Sequence, residues 1–207
     1  MDLRGWNERY QTLLGTQLRD ECVTPLLAQA VNNGAAGNLR PGRALDLACG
    51  AGSNALWLAS RGWQVTAVDG SSVAIDILRQ RADQRELTID TRVADLEKHQ
   101  YVIQPDSWDL IAMCYYLQRD LFEPAKRGVV PGGHVLAIVH IPDPGEGLTR
   151  FRLAPGELTR YFDDFEILHQ YEGPSHDPAH RRWVAEIVAR RPAKPFGPEK
   201  SRAPAAG

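Results

Sequence analysis

Several features that would mark a partner are missing from this chain of 207 residues. Its 24 lysines and arginines are offset by 26 acidic residues, for a formal net charge of -2. There is no basic excess to follow a phosphate backbone, so a nucleic-acid partner is not expected. No apolar run approaches the length that spans a bilayer, and no membrane partner is expected either. The opening MDLRGWNERY is polar and lacks the apolar stretch of a secretory signal. Cysteine is scarce: Cys22, Cys49 and Cys114 are odd in number and far apart. That spacing offers neither a disulfide framework nor a zinc signature, and a reducing cytoplasm is the expected location.

What is present is an ordinary globular balance, 43% hydrophobic and 24% charged. The length suits one domain. We expect it over residues 1–191, with 1–40 forming an N-terminal helical lid and 192–207 a flexible tail. Within the lid, Val23, Leu26, Leu27, Ala30 and Val31 have helical spacing, Pro25 fits the first turn, and Asn33-Gly34 closes the helix. A loop follows from Gly37 to Gly42.

From Arg43 onward, short apolar runs alternate with helical patterns. Strands are expected at 44–48, 64–68, 88–94, 108–113 and 134–140. Helices are expected at 54–61, 71–84 and 117–127, the last weakened by Pro124, with Pro131-Gly132-Gly133 as the turn into the fifth strand. A short helix at 155–161 and two strands at 165–171 and 182–189, joined by a Gly/Pro/His-rich loop, complete the pattern. The expected fold is α/β and Rossmann-like: a central, mostly parallel seven-stranded sheet with helices on both faces and a C-terminal antiparallel hairpin.

The informative stretch is ALDLACGAGSNALWLASRGWQVTAVDGSS. A strand reaches Asp46, a turn carries Gly50 and Gly52, a helix follows, and the next strand ends at Asp69. This is a nucleotide-binding βαβ unit. The glycines let bare backbone approach a ligand, and Asp69 can accept from both ribose hydroxyls. Gly50, Gly52 and Ala55 formally satisfy a dinucleotide fingerprint. Asp46, however, precedes the turn as D-x-x-x-G-x-G, and a carboxylate there repels a pyrophosphate. It favours a cation such as the α-ammonium of S-adenosylmethionine.

DLACGAG, VTAVDGSS, VADLE, DLIAMCYYLQR and VPGGHVL occur in the order found in class I S-adenosylmethionine-dependent methyltransferases, which the chain resembles over about 43–140. WNERY, CYYLQRDLF and LAPGELTRYFDDFEIL resemble the tellurite-resistance or thiopurine-type branch. The resemblance implies S-adenosylmethionine as cofactor and a small-molecule acceptor, such as a thiol or a metalloid oxyanion. It also implies that Ala48, Cys49, Gly50 and Gly52 wrap the methionine moiety, with Asp69, Gly70 and Ser71 at the ribose. Asp95 and the Leu96 backbone would meet the adenine, and Cys114 and Tyr115 would lie beneath the cofactor. Many relatives carry Arg or Lys where this chain has Ser53.

Other candidates come from position. Trp6 and Tyr10 share a helical face and form a lid or pack on the sheet. Tyr115, Tyr116 and Arg119 follow the fourth strand at the ligand-binding edge, where a tyrosine ring can face a sulfonium. His140 ends the fifth strand as a candidate general base or pocket wall. Arg152, with Arg150, can hold an anionic acceptor or lie solvated. No metal is expected, because Pro178 breaks the His176/His180 spacing as a helical pair. Two other readings stay open: a nicotinamide-dependent oxidoreductase, and a non-catalytic protein that binds S-adenosylmethionine.

Overall fold

The computed structural model describes residues 3–15, 23–32 and 39–193. The expected helix stop at Asn33-Gly34, the start of the loop after it, Cys22 and nearly all of the tail lie outside these residues.

Apolar strand runs place the sheet at the centre. In chain order the elements are α1 (Leu3–Gly15), α2 (Pro25–Asn32), β1 (Arg43–Leu47), α3 (Ser53–Ala59), β2 (Gln64–Asp69), α4 (Ser72–Gln84), β3 (Ile89–Val93), β4 (Trp108–Cys114), α5 (Phe122–Gly128), β5 (Val129–His140), α6 (Glu157–Arg160), β6 (Glu166–Pro174) and β7 (Trp183–Arg190). Single 3-10 turns at Leu96–Lys98 and Arg119–Leu121 join the series. Among the described residues the strands form one seven-stranded sheet in the order β3-β2-β1-β4-β5-β7-β6. β1 to β5 pair in parallel, and β7 runs antiparallel to both β5 and β6. The expected mixed sheet with its terminal hairpin is the observed one.

Local chemistry explains the boundaries. Pro25 is the first residue of α2, where its missing N–H costs nothing. Ser71 caps α4, its Oγ accepting from the Ala74 N–H at 3.1 Å. The helix expected from 117 begins only at Phe122, because a proline at 124 cannot supply an N–H and its ring crowds the carbonyl four residues earlier. β5 starts five residues earlier than expected. Trp108 pairs with Val129 and Leu110 with His134, so residues 130–133 bulge out opposite one residue of β4. Gly132 takes φ +84° there, and Gly132 and Gly133 exchange backbone hydrogen bonds with Arg191. The Pro-Gly-Gly segment is therefore a bulge inside the strand rather than a turn before it.

The two sheet faces bury separate cores. One is filled by α2, α3 and α4 through Leu27, Leu56, Ile75 and Leu78. The other is filled by α5, α6 and the residues after it through Phe122, Leu158 and Phe162. The chain leaves β1 toward one edge of the sheet and β4 toward the other. A crevice therefore opens at the carboxyl ends of β1 and β4, where ligands bind in such sheets.

Candidate functional site

Asp46 and Ala112 stand in register at the centre of this crevice. Beyond β1 the backbone turns through Ala48 (φ +54°), Gly50 (φ +55°) and Gly52 (φ +83°) before α3 begins. Asp69 stitches that turn to the end of β2. One carboxylate oxygen accepts from the Gly50 N–H at 2.9 Å and the other from the Ser71 N–H at 2.8 Å. Burial raises the Asp69 pKa, and those two N–H groups oppose the rise. Each oxygen keeps a second lone pair, so the ribose role expected of Asp69 needs no rearrangement of these bonds.

Asp46 has a different environment. It is 1% exposed, and its Oδ2 has no hydrogen-bond partner among the described residues. Burial, and then the negative charge of Asp69, push its pKa up to about 7, against a stabilising backbone N–H of Ala55. An orphaned buried acceptor beside a glycine turn suits a cationic donor. The same pair of carboxylates disfavours a pyrophosphate.

Cys49 and Cys114 lie beside this pair. Burial and then Asp46 hold both thiols well above their ordinary range, so both stay protonated. At Cys114 the Thr24 and Asn54 side chains oppose the shift. The Thr24 N–H also donates to Asn54 Oδ1 at 2.9 Å, tying the start of α2 to α3.

α1 lies across the turn and packs on α4. Asn7 Oδ1 accepts from the Ser71 hydroxyl at 2.6 Å. A methyl group added at Gly70 would sit 2.4 Å from Leu3 Cδ2, and one at Gly50 would sit 2.6 Å from the Tyr10 hydroxyl. Tyr10 therefore stands directly over the glycine turn, with Trp6 stacked on it at 6.2 Å and 37% exposed. Sequence reasoning missed Asn7, and also Arg81, whose Nη1 on α4 donates to the Ala51 carbonyl at 2.9 Å.

Beyond β3, the Asp95 carboxylate pairs with Lys98 Nζ at 2.9 Å and its backbone N–H donates to Gln100 Oε1. Leu96 is buried, and its carbonyl accepts from Gln118 Nε2 at 3.0 Å. Tyr116 donates to Gln118 Oε1 at 2.7 Å, so one chain of hydrogen bonds joins the exit of β4 to the turn after β3.

Tyr115 leaves β4 with φ +61°, a strained value for a side-chain-bearing residue. That turn swings its ring to stack on His180 at 3.4 Å and to face His140 at 5.8 Å, while its hydroxyl donates to Asp177 Oδ2 at 3.0 Å. The Nδ1 of His140 is buried with no partner among the described residues. Burial lowers its pKa, which keeps the ring neutral at physiological pH.

Arg119, expected at the ligand-binding edge, and Arg152, expected with Arg150 to hold an anionic acceptor, are engaged within the protein. Arg119 Nε meets Glu157 Oε1 at 2.7 Å, and its Nη2 donates to the Arg152 carbonyl at 3.1 Å. It braces the segment that leads into α6. Arg152 forms an ion pair with Glu146. Arg119→Met is expected to lower stability by about 0.5–1 kcal/mol in denaturant unfolding, because the pair with Glu157 is partly screened by solvent. It should leave the glycine turn intact. Full stability with a raised acceptor KM would return Arg119 to the acceptor site.

The fold is that of class I S-adenosylmethionine-dependent methyltransferases. It superposes on the crystal structure of TehB from Haemophilus influenzae with a TM-score of 0.68 at 24% identity, covering 90% of this chain and 67% of that one. The model of the tellurite resistance protein TehB family matches residues 22–176, and the chain belongs to that family. A curated relative from Haemophilus influenzae, named "Probable S-adenosyl-L-methionine-dependent methyltransferase TehB", is 27% identical over 143 residues, covering 65% of this chain and 49% of the relative. A ubiquinone biosynthesis O-methyltransferase of Alkalilimnicola ehrlichii is 32% identical over 106 residues, covering 48% of this chain and 42% of the relative. The chain thus spans about half the length, or less, of these curated relatives.

Proposed function

We propose that this chain transfers the methyl group of S-adenosylmethionine to a small-molecule acceptor. The unpartnered, buried Asp46 Oδ2 beside the glycine turn carries the reading: it is placed for a cationic amine and against a pyrophosphate. Bound there, S-adenosylmethionine supplies a methyl group already activated by a sulfonium.

The protein's own contribution is placement. Asp46 holds the amine end, the turn from Ala48 to Gly52 admits the amino-acid backbone, and Asp69 holds the ribose. Asp95 and the Leu96 backbone border the adenine. Alignment of donor and acceptor can supply roughly 7–11 kcal/mol of a displacement barrier. α1, with Tyr10 over Gly50, serves as the lid that excludes water.

The acceptor reading is a soft nucleophile, and a thiol fits better than an oxyanion. Arg119 and Arg152 are engaged by Glu157 and Glu146. Where a proton must leave, the neutral His140 ring is the acceptor for it. The chain is read as a cytoplasmic enzyme without a nucleic-acid partner.

Calorimetric titration tests the cofactor assignment. S-adenosylhomocysteine should bind tightly and NADH should not. Tight NADH binding with no binding of S-adenosylhomocysteine would replace this reading with an oxidoreductase. Binding without methyl turnover on any small acceptor would leave a non-catalytic cofactor binder.

A further inference from the structure

We infer that the acceptor is recognised by a cationic nitrogen, in a cleft beneath Tyr115 whose anchor is Glu186. This rests on the methyl-transfer reading above and names the acceptor's chemical class. The cleft holds about 420 Å³ between the start of α2, the β5-β7-β6 edge of the sheet and the loop at 175–182. That volume suits a small organic molecule.

Glu186 is the anomaly that marks it. It is 7% exposed in the middle of β7, on the same sheet face as Val184 and Val188. A carboxylate set among apolar strand residues requires a partner. The partner within the protein is His169 Nε2 on β6, at 3.1 Å from Oε2, and that imidazole is 36% exposed. The pairing arises because β6 shifts register between Ile167 and His169, which turns His169 toward the cleft.

The remaining walls agree with a cation. Asp177 places a second carboxylate at the cleft, its Oδ2 taken by the Tyr115 hydroxyl and its Oδ1 by the Ala179 N–H. Tyr115 and Tyr171 line the cleft with their rings set against His180 and His176. Leu26 and Ile138 accommodate an apolar body. No lysine or arginine lines the cleft among the described residues. Two carboxylates, Glu186 and Asp177, share the walls with two imidazoles, His169 and His176, so the lining side chains present no net positive charge to hold an oxyanion. Tyr115 belongs both to this cleft and to the carboxyl end of β4, and so connects amine recognition to the methyl-donor crevice.

The test uses the full chain saturated with S-adenosylhomocysteine and two probes with one apolar body and opposite charge, 2-phenylethylamine and 3-phenylpropionate, with tellurite as a third. By ligand-observed NMR titration the amine should bind at least about tenfold more tightly than the carboxylate, as one charge-assisted hydrogen bond provides. Glu186→Gln should abolish that preference while affinity for S-adenosylhomocysteine stays unchanged. His169→Gln should keep the preference, and it supplies a second readout if Glu186→Gln does not fold. Equal binding of the two phenyl compounds, tighter binding of the carboxylate or tellurite, no amine binding at millimolar concentration, or a preference surviving in Glu186→Gln overturns the inference. An amine preference in a protein that fails to bind S-adenosylhomocysteine counts against the methyl-transfer reading and leaves the cleft chemistry standing.

Discussion

Asp46→Asn is expected to weaken binding of S-adenosylmethionine and S-adenosylhomocysteine by about 100-fold or more, the scale of breaking a buried charge pair. The amide keeps the shape but loses the charge, and it presents N–H donors to an ammonium. The pH dependence has a defined sign. Before ligand binds, the carboxyl titrates near pH 7, because burial and Asp69 disfavour its charged form. A cationic amine selects the ionised form. Below that pH, binding should release a proton, and affinity should fall about tenfold per unit. The same raised pKa makes the ligand-free native state hold a proton that the unfolded chain, with its reference value of 3.8, gives up earlier. The stabilisation is fully present below the unfolded value and is lost as pH rises through about 7. Asparagine removes this slope. Calorimetry in buffers of different ionisation enthalpy measures the proton, and denaturant melts across pH measure the slope. Unchanged affinity with no proton release would remove Asp46 from the cofactor site.

Gly52→Ala is expected to cost about 2–5 kcal/mol of unfolding free energy, from left-handed backbone strain and core overpacking together. Gly52 has φ +83°, and a methyl group there would lie 2.2 Å from Leu78 Cδ1 and 2.8 Å from its Cγ. Leu78 is fully buried on α4, so it has no room to retreat. Relief requires α3 and α4 to separate, which also moves the turn that faces the ligand. Denaturant unfolding reads the stability loss, and S-adenosylhomocysteine titration reads the distortion. A variant as stable as the parent would show that α3 and α4 do not meet through Gly52.

The parts that could be read along the chain are those written in short-range chemistry. β1 is a run buried on both sides after its first residue, and such a run needs no knowledge of its neighbours. Ser71 announces α4 by capping it, and Pro25 announces α2. Asp46, Gly50 and Gly52 share one strand-turn-helix unit, so their spacing alone implies their proximity. The β5 bulge was less legible, because a Pro-Gly-Gly segment is compatible with both a turn and a bulge. Only pairing with β4 settles which one forms.

Along the chain, the alternation of apolar strands and amphipathic helices was enough to set a mixed α/β sheet, and one acid before a glycine turn was enough to motivate the proposal of a cationic ligand, because both depend on neighbours within a few residues. The roles of the later charged residues followed from contacts between distant segments. Arg119 turns to Glu157 across 38 positions, and Tyr115 reaches Asp177 across 62. Glu186 meets His169 through a shift in strand register. Isolated in the sequence, each of these side chains has several partners of suitable charge. Folding chooses among them, because burial makes an unpaired charge costly and geometry leaves one partner within reach.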